Sequence, residues 1–267
     1  MGADTKQLRT RIKSVNSTLH LTKAMELVAS SKIRKATESM QKGKEYAAAL
    51  VECAEQLSTF EECKKSPFME KREAKNTCLA VVAGDRGLAG GYNANIFKLM
   101  RELEYSEVIP IGKRACEKYG AKTVTAEHFS FGDAKIIAKR VCDDFREKRI
   151  DRFGIVCTKY NSLMSQEARV IWLLPLERAN TEKGASALFE PDELTVLNSL
   201  IPEYVAGVLI AAVKESFASE VAARRVAMDS AGKNATEMIE KLELDYNRAR
   251  QGAITQEITE IVAGAGM

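Results

Sequence analysis

Apolar residues recur at heptad spacing along the first part of the chain. Two interleaved series, starting at Leu8 and Ile12, place an apolar or small residue at every seventh position through most of residues 4–58. This spacing puts both series on one face of an α-helix, as at the a and d positions of a coiled coil. Polar residues such as Thr22 and Glu26 interrupt the seam. The pattern predicts one long helix that needs a partner helix to cover its apolar face.

A second helical pattern occupies the last part of the chain. From Tyr204 onward, apolar residues recur every three or four positions almost to the C-terminus. Asp192 is the predicted N-cap of this helix, and Pro202 is predicted to kink or restart it. Neither terminal helix can bury its apolar face alone, so we expect the two to pair. A compact insertion that returns the chain to its starting point makes the pair an antiparallel coiled coil.

The chain between the two helical patterns alternates strand-like and helix-like segments. All five prolines lie between 67 and 202, which leaves long flanks free of helix breakers. Short apolar runs predict strands at 77–83, 107–112, 122–126, 153–160 and 168–174. They predict an inserted α/β domain with an open, Rossmann-like sheet of about five strands. We therefore divide the chain into an N-terminal coiled-coil helix (1–60), the inserted domain (61–190) and a C-terminal coiled-coil helix (191–267).

Composition excludes several classes of protein. The chain has 267 residues, 45% of them hydrophobic and 29% charged, which is too apolar for a disordered protein. No uninterrupted run of about 18 apolar residues is present, so we expect no membrane span and, from the polar N-terminus, no secretory signal. The six cysteines lack C-x-x-C spacing and are expected to be reduced thiols in the core. His20 and His128 are far apart in sequence, so no metal site is predicted.

Charge is distributed unevenly along the chain. Residues 1–44 hold ten Lys and Arg against three acids, a net charge of +7. Residues 203–267 hold seven Lys and Arg against ten acids, a net charge of −3. Three interpretations are open: the two helices complement each other, the basic segment contacts an acidic protein, or it contacts nucleic acid. Tyr46 is the only aromatic residue among the first 59, which leaves no stacking platform and disfavours nucleic acid.

A glycine-rich loop, GDRGLAGGYN (84–93), follows the first predicted strand and precedes a predicted helix. A dinucleotide-binding loop occupies the same place in a βαβ unit. The spacing here is G-x-x-G-x-x-G-G rather than G-x-G-x-x-G, so a structural turn is the favoured interpretation and a phosphate site the alternative. The sequence has no Walker loop and no G-x-S-x-G, and its isolated histidines build no nucleophile–base pair. We predict no catalytic residues, no metal and no cofactor.

Three separated motifs carry a resemblance to a known family. LTKAMELVASSKIRKA (21–36), the glycine loop (84–93) and YNRARQGAITQEITEIVAGA (246–265) closely resemble the gamma subunit of F-type ATP synthases, in the same order and over the whole chain. The resemblance implies a rotor whose coiled coil stands inside a ring of alternating alpha and beta subunits. Its other end is expected to meet the epsilon subunit and the membrane ring of c subunits, so membrane contact is indirect.

The resemblance also implies a function without catalysis in this chain. Rotation driven by ion flow through the c-ring changes the catalytic sites of beta in sequence, so ATP synthesis or hydrolysis occurs in beta. The chain is therefore expected to be a non-catalytic subunit that binds protein partners and no nucleic acid. Its expected location is the cytoplasmic face of the bacterial plasma membrane, as a peripheral part of the complex.

Individual partner-contact residues follow from the same resemblance. Lys23 and Met25 match the segment that faces an acidic loop of beta, and Met25 alternatively fills a gap in the coiled-coil core. Glu203 and Tyr204 match the foot near the c-ring and epsilon. Four residues match the C-terminal segment that contacts the upper ring, or else lie on a solvated helix face: Arg250, Gln251, Thr255 and Glu257.

Two other functions stand as alternatives. A nucleotide-binding α/β enzyme would use the loop at 84–91 and would lose nucleotide affinity when Asp85 or Arg86 is replaced. A basic coiled-coil adaptor would bind any nucleic-acid duplex with steep salt dependence. Only the gamma-subunit resemblance accounts for all three motifs together.

Overall fold

The computed structural model describes residues 3–179 and 189–265 of the chain. A long helix occupies each end, and strands alternate with shorter helices between them. In chain order the elements are α1 (Ala3–Ser58), β1 (Thr77–Val82), α2 (Tyr92–Arg101), β2 (Glu107–Ile111), α3 (Lys113–Tyr119), α4 (Phe131–Arg146), β3 (Arg152–Tyr160), β4 (Gln166–Leu174) and α5 (Glu193–Ala265). Two 3₁₀ turns, Glu62–Lys65 and Pro67–Met69, follow α1. The predicted fold class, two long terminal helices with an α/β insertion, is confirmed.

The residues group into two compact units. Unit 1 comprises Met1–Ser30 and Arg224–Met267, and unit 2 comprises Ser31–Ala223. The boundary passes through both long helices, so each unit contains one segment of α1 and one segment of α5. The division into 1–60, 61–190 and 191–267 made from the sequence separates helical from mixed segments. The two units group residues by their contacts instead, so that division stays a prediction.

Within unit 2, α1 and α5 pack side by side. Lys44 of α1 pairs with Glu215 of α5, with 2.7 Å between Nζ and Oε1. Further along α1, Leu50 lies against Gly207 of α5. Later residues of α1 therefore meet earlier residues of α5, and the two helices are antiparallel, as predicted.

Unit 1 is held by a thin seam between its two helical segments. Gly232 of α5 lies next to Leu19 and Thr22 of α1. Thr22 and Ala29 are buried, and both occupy predicted heptad positions of α1. On the α5 side of this unit Ala235 is buried, together with three larger residues: Met228, Ile239 and Leu242. Small residues facing larger ones allow two helices to approach closely.

Four strands form the sheet of unit 2, in the order β2-β1-β3-β4. β1 pairs parallel with β2 and β3, and β4 runs antiparallel to β3. Every residue of β1 is buried, as expected for a parallel strand covered on both faces. Leu79 and Val81 pack with Ile96 of α2, whereas Val82 belongs to the larger core that includes Leu209 of α5. The sheet therefore lies between α2 on one face and, on the other, the larger core to which α4 and the long helices contribute.

The segment 122–126 is not a strand, so the sheet has four strands in the described chain and not the predicted five or so. The Gly112 N–H donates to the Val124 carbonyl at 2.9 Å. The Ala126 N–H donates to the carboxylate of Asp85 at 2.9 Å. Because a loop amide and a carboxylate satisfy these backbone groups, the segment does not pair along the edge of the sheet.

α5 continues through Pro202 as one helix, so the predicted restart does not occur there. Ile201 and Val205 beside it are fully buried, and that packing offsets the roughly 3 kcal/mol that proline costs inside a helix. One stretch of α5 is long and apolar enough to cross a membrane by length and composition alone. Of that stretch, 67% is buried inside the protein, and a core helix meets the same two criteria. Burial accounts for most of its apolar character.

Candidate functional site

The glycine loop between β1 and α2 is held by the carboxylate of Asp85. Its Oδ1 accepts the N–H groups of Lys113 at 3.0 Å and Ala126 at 2.9 Å, and its Oδ2 accepts that of Glu127 at 2.9 Å. Asp85 thus joins the loop to the start of α3 and to the segment before α4. Three backbone donors occupy most of the acceptor sites of one carboxylate, so the geometry is that of a structural anchor.

Glu220 of α5 lies against the start of the same loop. Glu220 is only 2% exposed, and a Cβ placed on Gly84 would lie 2.8 Å from the Cδ of Glu220. The Asp85 N–H points at Glu220 Oε2 at 3.4 Å, and the Gly84 N–H donates to Asn93 Oδ1 at 2.8 Å. In a nucleotide site such amides face phosphate oxygens. Here they face side chains of the chain itself, and two carboxylates repel an anion, which favours the structural interpretation of the loop.

A buried polar network fixes α5 against the sheet and α1. The carboxylate of Glu215 pairs with Lys44 at 2.7 Å and with Arg169 at 3.1 Å, and it accepts the Tyr160 N–H at 3.0 Å. Two cations and a backbone donor offset the desolvation of this buried carboxylate. Sequence reasoning missed the roles of Glu215 and Glu220. Their charges interrupt the apolar face of a helix, and that signal could have found them.

Hydroxyl groups beside this network join α5 to β3 and α2. The Thr158 N–H donates to Ser216 Oγ at 3.0 Å, and the Tyr92 hydroxyl donates to the Ser216 carbonyl at 3.0 Å. Burial raises the pKa of Tyr92 well above its usual range, so the phenol keeps its proton and donates. These groups hold elements together and include no nucleophile paired with a base.

Lys23 and Met25, two of the predicted partner contacts, lie on α1 in unit 1. Lys23 is exposed and Met25 is half-buried. The nearby Leu27 and Val28 are also exposed. The same stretch of helix therefore presents a cation beside apolar side chains, which is a surface suited to another protein.

The four C-terminal predicted contacts also belong to unit 1. All of them are exposed on α5: Arg250, Gln251, Thr255 and Glu257. The Thr255 hydroxyl donates to the Gln251 carbonyl at 3.0 Å, one turn earlier. Ile254 and Ile258 are exposed beside them, so this end of α5 mixes polar and apolar surface.

Glu203 and Tyr204 lie on α5 in unit 2, apart in the chain from the other six. Glu203 pairs with Lys135 of α4 at 2.7 Å. Tyr204 is only 6% exposed, and burial raises its pKa to about 12. It lines a cavity of about 430 Å³ together with Trp172. The structure thus separates the predicted contacts into two groups, and their role in binding partners stays a prediction.

In the part of the chain that the structure describes, no group of side chains is arranged for metal binding or for thiol chemistry. No group of three or more His, Cys, Asp or Glu side chains there is placed to hold a metal ion. All six cysteines are free, and all except Cys53 are buried, which agrees with the predicted core positions. Burial raises the pKa of Cys78 and of Cys142 to about 12, so both remain protonated near neutral pH.

Comparison with known sequences gives matches along the whole chain. A protein-family model described as ATP synthase matches residues 4–266. A chain named ATP synthase gamma chain from Alkaliphilus metalliredigens is 40% identical, with 99% of each chain covered. The gamma chain of Ruminococcus albus is 41% identical, covering 97% of this chain and 96% of that one. A gamma chain of Acetobacterium woodii named as sodium ion specific is 37% identical, with 99% of each covered.

Solved structures share the fold at lower identity. A chain from the OSCP/F1/c-ring structure of Euglena gracilis mitochondrial ATP synthase has a TM-score of 0.69 at 18% identity, covering 98% of this chain and 94% of that chain. A chain from the central stalk/c-ring structure of the Tetrahymena thermophila mitochondrial ATP synthase has a TM-score of 0.59 at 22% identity, covering 79% and 99%. At these identities the likeness concerns the fold.

Proposed function

This chain belongs to the gamma-chain family of ATP synthases, and from that membership we infer that it is the central-stalk rotor that couples ion-driven rotation to ATP synthesis or hydrolysis. The observation that carries this function is the match along residues 4–266, with 40% identity to a gamma chain over 99% of both chains. The catalytic sites belong to the beta subunits of the same complex, so this chain transmits rotation and is not itself an enzyme.

Unit 1 is the part of the chain that we assign to the ring of alpha and beta subunits. Its C-terminal helix exposes the apolar side chains of Ile254, Ile258 and Ile261. Exposing apolar side chains to water is unfavourable, so a surface of this kind is typical of a contact with another protein. A surrounding ring would cover them. The exposed Arg250 and Thr255 lie in the same stretch and supply the polar contacts.

Lys23 and Met25 are assigned to contact with an acidic loop of beta. The exposed ammonium of Lys23 attracts carboxylates, and the half-buried Met25 offers a flexible apolar side chain that adapts to different neighbours as the rotor turns. Exposed charged contacts of this kind are individually weak, on the order of 0–1 kcal/mol, which suits a surface that must leave one partner for the next.

Glu203 and Tyr204 are assigned to the foot that meets the c-ring and the epsilon subunit. Because Tyr204 is largely buried, we expect it to act mainly through its exposed edge and by supporting Glu203 beside it. Glu203 is half-buried and already pairs with Lys135, so a partner cation would compete with that ion pair. Contact with the membrane is indirect, through the c-ring.

The complex to which this family belongs is a peripheral membrane assembly. Within it we assign the chain to the cytoplasmic face of a bacterial plasma membrane. The support for this assignment is the identity of 40–41% with gamma chains of the bacteria Alkaliphilus metalliredigens and Ruminococcus albus, against 18–22% with the mitochondrial chains.

Reconstitution tests the proposed function directly. The full chain, mixed with alpha and beta subunits, is expected to assemble into a ring complex that hydrolyses ATP. A Gln251→Cys variant cross-linked to a cysteine in beta is expected to stop hydrolysis, and reduction is expected to restore it. The same variant left reduced is the control for damage by the substitution. Full hydrolysis in a completely cross-linked complex would rule out a rotor.

A matched pair of threonines tests the assigned contacts. Thr255→Val is expected to lower ATP hydrolysis by the complex about fivefold, equivalent to roughly 1 kcal/mol of lost contact. Thr236→Val on the same helix is the control, because the Thr236 hydroxyl also donates to a carbonyl one turn earlier, at 3.1 Å from the Gly232 oxygen. Equal losses in both variants would attribute the effect to the helix and not to the contact.

A further inference from the structure

A second cavity, of about 500 Å³, lies in unit 2 between α1, α5 and the segment just before α4. Lys32 and Lys35 line it from α1, and Lys214 lines it from α5. Glu127 and His128 line it from the segment before α4. Small-molecule sites in proteins commonly measure about 300–1,000 Å³, so the size is suitable. No predicted partner contact and no residue of the glycine loop lines this cavity.

One lysine of the cavity is already neutralised. Lys32 Nζ lies 2.5 Å from Glu127 Oε1, with the two side chains partly buried. This hydrogen bond is the main cause that holds the pKa of Glu127 below its usual range, so the carboxylate stays ionised near neutral pH. The pair therefore contributes no net charge to the cavity.

The two other lysines leave the cavity positive. Lys35 and Lys214 form no ion pair with any residue in the ranges 3–179 and 189–265. They reach the cavity from two different helices, so an anion between them could meet both ammonium groups. His128, which is exposed, also lines the cavity.

The rest of the lining suits a compact organic anion. Phe129 is largely buried, and Phe217 is half-buried on α5. They form apolar walls, while Ser31 and Ser39 supply hydroxyl groups. A concave surface with apolar walls and a few convergent polar groups is the usual form of a small-molecule site. Lysines act as point charges for phosphate, without the planar recognition that arginine gives.

We propose that this cavity binds a small anion that carries phosphate, through the ammonium groups of Lys35 and Lys214. Two compounds share that chemistry: an inorganic polyphosphate such as pyrophosphate, and a nucleotide such as ADP. A nucleotide would also place its ring against Phe129 or Phe217, whereas pyrophosphate would use the lysines alone. A ligand in this cavity would contact the rotor chain itself.

Lysine footprinting of the full chain locates the ligand without removing any residue. The chain, free and in complex with alpha and beta, is acetylated briefly with and without pyrophosphate or ADP, and each lysine is quantified by mass spectrometry. Lys35 and Lys214 are expected to be protected by ligand, whereas Lys42, an exposed lysine of α1 outside the cavity, is expected to react equally in all samples. Equal reaction of Lys35 with and without both ligands would overturn the proposal.

Binding to variants measures the contribution of the two lysines. Lys35→Gln combined with Lys214→Gln is expected to weaken pyrophosphate binding by the free chain about tenfold or more, since two charge-assisted contacts are lost. Lys42→Gln is the matched control and is expected to bind as the unchanged chain does. Circular dichroism of each variant verifies that the helices are intact. An equal loss in the Lys42→Gln variant would reduce the binding to general attraction by a basic helix and overturn the proposal.

Comparing the two ligands identifies the source of the phosphate. Tighter binding of ADP than of pyrophosphate, with no binding of adenosine, supports a nucleotide whose ring uses the aromatic wall. Equal binding of both supports an inorganic phosphate anion. Binding of adenosine as tight as that of ADP would mean that the lysines contribute nothing, and the proposal would be wrong. Because these measurements use the free chain, they are independent of whether it assembles as a rotor.

Discussion

Units 1 and 2 bury their side chains to very different degrees. The largest fully buried side chains are all in unit 2, among them Phe68, Phe145 and Phe153. In the described part of unit 1, no residue is less exposed than Ala29, at 4%. Large apolar residues that are exposed are frequent there, for example Ile261 at 70%. Unit 2 has a core of its own, whereas unit 1 has a seam.

This difference indicates where each unit obtains its stability. Unit 2 places apolar residues from a sheet and several helices around one core, so most of its stability comes from its own packing. Unit 1 pairs two helical segments through one narrow seam, with small or polar residues such as Thr22 on its α1 side, and such a seam buries little apolar area. Its exposed residues gain stability only when another protein covers them, which agrees with a rotor segment enclosed by a ring.

The strongest test of the comparison removes one large side chain from each unit. Phe145→Ala in the core of unit 2 is expected to lower the free energy of unfolding of the chain by about 3–5 kcal/mol, because it leaves a cavity beside Phe68. Ile258→Ala in unit 1, where the side chain is exposed, is expected to change it by less than about 0.5 kcal/mol. Thermal or urea unfolding measures both. An equal loss of unfolding free energy in the two variants would mean that Ile258 lies in a core of unit 1.

A pair of glycines in unit 2 tests how tightly the loops pack on its core. Gly112 has φ +93°, and a Cβ there would lie 1.9 Å from the Ala83 carbonyl oxygen. Gly112→Ala is expected to cost about 3 kcal/mol from the clash and the backbone strain together. Gly120→Ala, at φ +66° with no atom within 4 Å of the added carbon, is expected to cost only about 1 kcal/mol. Unfolding curves that rank the two in the opposite order would contradict this packing.

Two aspartates test the anchor of the glycine loop. Asp85→Ala removes the acceptor of three backbone N–H groups and is expected to cost about 2 kcal/mol. Asp151→Ala removes an acceptor of one backbone N–H, that of Asn76 at 2.9 Å, and is expected to cost about half as much. Hydrogen exchange of the Ala126 and Glu127 amides should become faster in the Asp85 variant only. Unchanged exchange at those amides would remove Asp85 from its structural role.

The smallest expected effect concerns the N-terminus of α4. Ser130 and Asp133 form a capping box, which holds the pKa of Asp133 below its usual range. A carboxyl group with a lowered pKa stabilises the folded state at neutral pH, and that stabilisation is lost as the pH falls through the lowered value. Ser130→Ala is expected to cost about 1 kcal/mol at neutral pH and to make unit 2 less sensitive to acid. Identical acid titrations of stability for both proteins would contradict the capping role.

Periodic patterns predicted the main elements with little error. The heptads placed the first helix at 4–58, and α1 is Ala3–Ser58. The apolar run at 77–83 contains β1, Thr77–Val82. The predicted cap Asp192 accepts the Thr195 N–H at 2.8 Å at the start of α5. These features depend on residues close in sequence, so local spacing and capping chemistry were sufficient.

Errors arose where residues far apart in sequence compete for a segment. The run at 122–126 has strand-like residues, but Asp85 and Gly112 satisfy its backbone from distant positions. Of the two outcomes predicted for Pro202, the restart of α5 does not occur, because buried neighbours on the same helix pack into the core of unit 2, whereas the kink stays a prediction. The periodicity of the sequence does not reveal the contacts of 122–126 or the packing around Pro202, because both form only in the folded chain.

The sequence by itself determined two long apolar helical faces, an alternating middle segment and the motifs of a gamma chain, because each is written in the spacing of neighbouring residues. Only the tertiary structure decided that Glu220 lies against Gly84, that Glu215 holds Lys44 and Arg169, and that two unpaired lysines share one cavity. The physical reason is that charge and hydrogen bonding act through space. Residues far apart in the sequence become partners only when the core brings their elements together.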